Sequence, residues 1–165
     1  MKNITYCDIQ TLLEQNIDTT SIIDEIDFLM RKEYPNYHEW FNNKLIPGLE
    51  NNTRNIICLF KNHKIIGFVN LKKTNKERKM SNIYIKSTIF YEKCWNLMID
   101  EAIKWLDDEN PVMIVTQKDM MKSAYLIKSR NWHLTDKTKT NDYIINRCDE
   151  FEIIKRKSKI KRLQY

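Results

Sequence analysis

Apolar positions along this chain change rhythm several times, and each change marks an element. The runs Asn55-Ile56-Ile57-Cys58-Leu59-Phe60-Lys61 and Ile65-Ile66-Gly67-Phe68-Val69-Asn70-Leu71 are rich in β-branched and aromatic residues. Asn62-His63 separates them, which predicts a hairpin. Alternation of Met80, Asn82 and Tyr84 against Ser81, Ile83 and Ile85 predicts the next strand. From 91 to 107 the period becomes helical, with Cys94, Met98, Ala102, Trp105 and Leu106 on one face and Asp100, Glu101, Lys104 and Asp107 on the other. Asn110-Pro111 ends that helix. Val112-Met113-Ile114-Val115-Thr116 is a short apolar strand suited to a sheet covered on both faces. A helix from about Asp119 to Arg130 follows, and then Trp132-His133-Leu134 and Tyr143-Ile144-Ile145 suit a closing antiparallel pair.

The first fifty residues carry weaker signals. Ile4 to Cys7 is a faint strand. Ser21, followed by Asp24, predicts a helix start, because a serine hydroxyl can cap free N–H groups and an acid in the first turn complements the dipole. Ile22, Ile26 and Leu29 recur at helical spacing to Met30; Pro35 ends the helix, and Tyr37-His38-Glu39-Trp40-Phe41 opens a shorter amphipathic segment stopping near Pro47-Gly48. These elements predict an α/β fold with a mixed sheet, in a single domain over residues 1–155 with a tail at 156–165.

At 165 residues and 42% apolar composition the chain can bury one core. No stretch nears the roughly 18 to 20 apolar residues of a bilayer span. Met1-Lys2-Asn3-Ile4-Thr5-Tyr6 has no apolar secretion segment, so a cytoplasmic location is expected. Cys7, Cys58, Cys94 and Cys148 stand singly, which reads as buried or idle reduced thiols and offers no metal site. The net charge of +6 is uneven: Lys155, Arg156, Lys157, Lys159, Lys161 and Arg162 crowd the C-terminal end, a composition that attracts phosphates of nucleic acid or CoA and acidic partners, or is simply solvated. Only two glycines occur, against about a dozen expected from average usage. Asparagine can replace glycine in turns, but not where backbone must touch a ligand.

The order strand, turn, strand, strand, helix, strand, helix over about 55 to 132 resembles the core of the GNAT acyltransferases, which move an acetyl group from acetyl-CoA to an amine. The resemblance covers roughly residues 35 to 155. Thr53-Arg54-Asn55-Ile56-Ile57, Lys64-Ile65-Ile66-Gly67, Leu71-Lys72-Lys73-Thr74 with Glu77-Arg78-Lys79, Asn110-Pro111 to Thr116, Asn131-Trp132 in place of Gly-Phe, and Glu150-Phe151-Glu152 follow one another in the order of a bacterial subgroup. It implies a mostly antiparallel central sheet with helices on both faces, acetyl-CoA as co-substrate and a small-molecule or protein amine as acceptor. By the same analogy it implies a homodimer.

The family's fourth strand leads into Q/R-x-x-G-x-G/A, whose backbone N–H groups hold the CoA pyrophosphate at a helix start. That motif falls on Phe90-Tyr91-Glu92-Lys93-Cys94-Trp95, so Lys93 and Trp95 occupy the glycine positions. Either Lys93 supplies a cation to the phosphates with Trp95 turned into the core, the backbone of Tyr91, Glu92, Lys93, Cys94 and Trp95 lying near them, or the pocket is filled. The pantetheine arm is expected along the strand edge at Ile83, Tyr84 and Ile85. The family's proton-donating tyrosine falls on Ile127; Tyr125, two residues before it and about 200° round the helix, is the nearest tyrosine to that role. Glu77 is the candidate base, although Lys72 and Lys79 beside it suit a surface ion pair as well. Tyr37 and His38 could shape the acceptor groove, or pack on the core. Two functions follow: an acetyl-CoA-dependent N-acyltransferase, or a catalytically inactive domain of this fold that binds nucleic acid or a protein through its basic tail.

Overall fold

The computed structural model describes residues 4–86, 90–139 and 142–147. Seven strands form one sheet in the order β1-β2-β3-β4-β5-β7-β6. They are β1 (Thr5–Asp8), β2 (Arg54–Lys61), β3 (Lys64–Lys73), β4 (Arg78–Ile85), β5 (Val112–Val115), β6 (Trp132–Lys137) and β7 (Tyr143–Arg147). Every neighbouring pair is antiparallel except β4 with β5. The expected α/β fold with a mixed, mostly antiparallel sheet is the observed one. Asn62 and His63 both take positive φ at the β2–β3 turn, 52° and 61°, the hairpin geometry that asparagine tolerates.

Helices cover both faces. On one side α5 (Tyr91–Leu106) and α6 (Gln117–Ser129) cover a core of Ile57, Leu59, Val69, Leu71, Met80 and Ile83 with Trp95, Met98 and Ile99. On the other, α1 (Ile9–Glu14), α2 (Thr20–Arg31), α3 (Tyr37–Trp40), a π-helical turn at Phe41–Leu45 and α4 (Ile46–Glu50) close over Ile56, Cys58, Ile65 and Phe68. The sequence reading has no α1, which is too short to show a period. It is held by its ends: Asp8 Oδ1 accepts from Thr11 N, and the buried Gln10 side chain donates to the Leu49 and Arg54 carbonyls at 2.7 and 2.8 Å.

Three local expectations are corrected. The α2 start is Thr20 rather than Ser21; the N-cap is Thr19, whose side chain makes no capping bond, and Asp18 Oδ1 before it takes the Thr20 N–H at 2.9 Å. Leu106 ends α5 through Asp107 in the left-handed conformation, φ 53°, three residues before Asn110. Strict alternation along β4 fails because Asn82 bulges out of register: Asn70 faces Ser81 and Phe68 faces Tyr84, with two residues of β4 between. Met80 and Ile83 therefore share the α5 face, while Tyr84 turns to the opposite core and stacks on Phe68 at 5.1 Å.

Both glycines serve packing. A Cβ on Gly67 would meet the Tyr84 carbonyl at 3.0 Å and Met98 Sδ at 3.4 Å, and one on Gly48 would collide with the Arg54 side chain. Cys7 and Cys58 face one another across β1 and β2 with hydrogen-bonded thiols, and Cys94 is on the buried face of α5. Among the described residues no helix is long and apolar enough to cross a membrane, and no cluster of His, Cys, Asp and Glu could hold a metal ion. Cys148, Glu150-Phe151-Glu152 and the basic tail lie outside the described residues.

Candidate active site

The bulge at Asn82 creates the site. Strands β4 and β5 pair only at Lys79 with Val112 and Met80 with Met113; past that point β5 keeps β7 on its other edge while, among the described residues, the edge toward β4 is left without pairs. A bulge adds twist and bend to its strand, so the two parallel strands part like a V. From Ser81 to Ile85 the side of β4 that looks toward β5 has no strand partner among the described residues. A cleft opens there. Its inner part, about 250 Å³, is lined by Ser81, Asn82, Ile83, Ile114, Val115, Thr116, Asp119 and Tyr34 among others. An outer part of about 380 Å³ continues past Ile83, Tyr84 and Ile85 to Lys86, Lys118 and Lys122. Together these volumes suit a ligand of drug size or larger.

Each lining group is placed by its element. Thr116 caps α6: its hydroxyl accepts from Asp119 N at 3.1 Å and donates to Asp119 Oδ2 at 2.6 Å, which fixes the carboxylate at the cleft wall. Lys118 and Lys122 are one helical turn apart on α6 and so lie on one face. Lys86 follows the last residue of β4, its N–H bonded to the Ile66 carbonyl at 2.8 Å. Three cations from two elements thus converge at the outer end, Lys118 also reaching Glu33 at 3.4 Å. Tyr34 borders both parts. Burial, aided by the charges of Asp119, Asp142 and Glu33, pushes its hydroxyl up to about 12, so at neutral pH it is a donor.

The structure brings only some of the sequence-predicted residues to this cleft. Ile83, Tyr84 and Ile85 line it. Tyr91 stands near by, bonded to Ser123 of α6, its hydroxyl raised to about 12 by burial. Trp95 is 1% exposed, packed edge-on against Trp132 at 6.4 Å, with the Arg130 guanidinium 5.4 Å from its ring. It does not fill the cleft, and neither does the buried Cys94. Lys93 is exposed in the first turn of α5 and lines neither part of the cleft. Glu92, in the same turn, is hydrogen-bonded by Tyr125, whose own hydroxyl that bond raises. A carboxylate there competes with an anion for the helix N-terminus.

Tyr125 is 58% exposed and Ile127 is buried, so neither side chain is set beside the cleft as a proton donor. Tyr37 is core: 3% exposed, its ring tilted against Trp40 at 5.2 Å, its oxygen accepting from Asn70. His38 pairs through Nδ1 with the buried Asp27 at 2.9 Å and through Nε2 with Asn42 at 3.1 Å, tying α2 to α3 away from the cleft.

Glu77 stands at the far end of β4, four residues and roughly 13 Å from Ser81. Burial pushes its carboxyl up, but Lys72 at 2.5 Å and Lys79 at 3.2 Å outweigh that and hold it below the usual range. A carboxyl lowered by the fold stabilises above its unfolded pKa, and the contribution is lost as pH falls through the folded value. Glu77→Gln should therefore cost at most about 1 kcal/mol at neutral pH, the pair being about one-third exposed. In urea unfolding the difference from wild type should shrink by about pH 3; a penalty constant with pH would show that the charge is not what matters.

Sequence reasoning missed Tyr34, Asn82, Lys86, Lys118, Asp119 and Lys122. Only the four-residue spacing of Lys118 and Lys122 and the Thr-x-x-Asp cap at 116–119 were legible, and neither says what it faces.

No protein-family model and no curated protein matches the chain. Solved structures do. The N-acetyltransferase PseH of Campylobacter jejuni in complex with acetyl coenzyme A is 16% identical over 87% of this chain and 97% of its own, with a TM-score of 0.57. The PaiA N-acetyltransferase of Thermoplasma acidophilum in complex with coenzyme A is 15% identical over 89% and 99%, at 0.55. A mutant of the spermidine N-acetyltransferase SpeG of Vibrio cholerae is 12% identical over 88% and 93%, at 0.58. Identities this low speak for architecture, and the architecture they share with this chain is the GNAT fold.

Proposed function

We propose that the protein is an N-acyltransferase that moves an acetyl group from acetyl-CoA to an amine. The observation that carries this reading is the unpartnered edge of β4 at 81–85, opening into a cleft with three lysines at its outer end. An extended amide-containing arm can add to such an edge as a strand, with its phosphates among cations and its thioester at the inner end. CoA has that shape and charge. Two of the structural neighbours hold CoA or acetyl-CoA, which supports the same ligand here.

In the reaction the amine nitrogen adds to the acyl carbon, the C–N bond forms, the C–S bond breaks with departure of the CoA thiolate, and the second proton on nitrogen passes to that thiolate or to solvent. Asp119 is the carboxylate that borders both parts of the cleft. It would hold the acceptor's ammonium and take its proton through water. Tyr34, kept neutral by burial, would donate a hydrogen bond to the departing sulfur. Lys86, Lys118 and Lys122 take over the phosphates from the absent glycines.

Isothermal titration with acetyl-CoA should give a micromolar Kd, about −8 kcal/mol. Saturation at 100 times Kd should add about 2.7 kcal/mol to stability. The absence of both heat and a thermal shift at millimolar ligand would overturn the proposal and turn attention to macromolecular partners of the basic tail.

A further inference from the structure

The cysteines are scattered along the sequence, yet the fold sets two of them directly opposite one another. Cys7 of β1 and Cys58 of β2 are register partners in an antiparallel pair, and their thiols are hydrogen-bonded to each other. Directly opposed residues in such a ladder have Cα atoms about 4.5 to 5.5 Å apart, inside the range of about 4.4 to 6.8 Å that a disulfide spans. Cys94 belongs to the core on the opposite face of the sheet.

The two thiols are not equivalent. Cys58 is fully buried in the core that holds Ile9, Ile26 and Phe68, whereas Cys7, on an edge strand of the sheet, is partly exposed. The hydrogen bond from Cys58 lowers the Cys7 pKa against the opposing effects of burial and Asp8. That same bond, and then burial, raises the pKa of Cys58. An accessible, more readily ionised thiol beside a buried one that keeps its proton is the arrangement of an attacking and a resolving cysteine.

We propose that the opposed pair Cys7 and Cys58 is a modification site, at which peroxide joins the two thiols in a reversible disulfide that staples β1 to β2. The Cys7 thiolate attacks one peroxide oxygen and becomes a sulfenic acid; the other oxygen leaves as hydroxide and is protonated to water. The Cys58 sulfur then attacks the Cys7 sulfur, the S–O bond breaks, and the hydroxyl leaves with the Cys58 proton as a second water. Two thiols together lose two electrons and one peroxide gains them. Opposed Cβ atoms stand about 4.5 to 5.5 Å apart and those of a disulfide about 3.8 Å, so closure strains the bond and leaves it open to reduction by small thiols.

The consequence reaches past the edge strand. The bond closes a loop over residues 8–57, the segment that carries α1, α2, α3 and α4. That layer brings Met30, Glu33 and Tyr34 to the outer cleft, so oxidation ties together both ends of the segment that forms one cleft wall. Cross-linking a loop of about fifty residues restricts the unfolded chain far more than the folded one.

The test is peptide mapping by mass spectrometry of the folded full-length protein after treatment with excess hydrogen peroxide and alkylation of the remaining thiols. A linked Cys7–Cys58 peptide is expected, with a rise in thermal midpoint of about 5 to 10 °C that dithiothreitol reverses. Cys7→Ala, which alters a partly exposed side chain, should show neither the link nor the rise. In Cys58→Ala the sulfenic acid on Cys7 should persist and be trapped by dimedone. Cys58→Ala removes volume from the core, so wild type and Cys7→Ala decide by themselves if that variant folds poorly. Cys7 staying reduced, its oxidation only to sulfinic acid, or a link to Cys94 or Cys148 instead would overturn the site. A Cys7–Cys58 link with an unchanged midpoint would overturn the staple. No CoA enters these samples, so the result stands apart from the acyl-CoA reading.

Discussion

Placing a glycine at position 95, where the resemblance puts one of the phosphate-loop glycines, is expected to destabilise the protein by about 4 to 6 kcal/mol without opening a phosphate site. Trp95 is one of the largest fully buried side chains of the core. Removing a buried tryptophan costs about 3 to 5 kcal/mol through lost burial and the cavity left behind. A glycine in a helix interior adds about 1 kcal/mol, and the edge contact with Trp132 is lost as well. Against a typical stability of about 5 to 15 kcal/mol, that removes a large share of the margin. For a chain of this length it lowers the thermal midpoint by about 10 to 20 °C. Lys93→Gly, at an exposed position of the same helix, should cost only about 1 kcal/mol. Melting followed by near-ultraviolet circular dichroism decides between them. A Trp95→Gly protein that melted within a few degrees of wild type and bound CoA more tightly would show that the indole blocks the ligand instead of holding the core.

That contrast also shows what the sequence could and could not say. Lys93 and Trp95 at the glycine positions are visible as letters, but the direction each points follows from the phase of α5, whose buried face runs through Cys94, Trp95, Met98, Ile99 and Ala102. The hairpin over 54–73, α5, β5 and α6 announce themselves because each has a clear period and a turn or cap at its end. The short α1 does not, since it is held by long-range bonds such as those of Gln10 to Leu49 and Arg54.

The bulge is an instructive middle case. Met80 and Ile83 are three apart, which no regular strand places on one face; an asparagine between two such apolar positions is the trace an inserted residue leaves. From that single irregularity follow the parting of β4 from β5 and the cleft itself. The lysines are harder to foresee. Lys86 follows a strand, while Lys118 and Lys122 sit more than thirty positions later on a helix. Only the parallel pairing of β4 with β5, which carries α6 directly after it, brings them to the same end of the cleft.

Replacing Lys86, Lys118 and Lys122 together by alanine should weaken CoA binding about 100-fold while leaving the fold intact. All three side chains are exposed, so their removal should change stability by only about 0.5 kcal/mol. Each is expected to supply about 1 kcal/mol to the phosphates, a value discounted for solvent screening at an open cleft, and a total near 3 kcal/mol is about two powers of ten in Kd. The arrangement differs in kind from a glycine loop: flexible ammonium groups act as point charges and give attraction with little directionality, whereas backbone N–H groups give geometry. Wild-type affinity should therefore fall steeply with added salt, and the triple variant's much less. Lys93→Ala, which alters no residue of the cleft, should change Kd less than threefold. Titration calorimetry of the three proteins at low and high salt measures both effects. Equal affinities for wild type and the triple variant, with a large loss in Lys93→Ala, would place the phosphates at the start of α5 after all, held there by Lys93 against the opposing charge of Glu92.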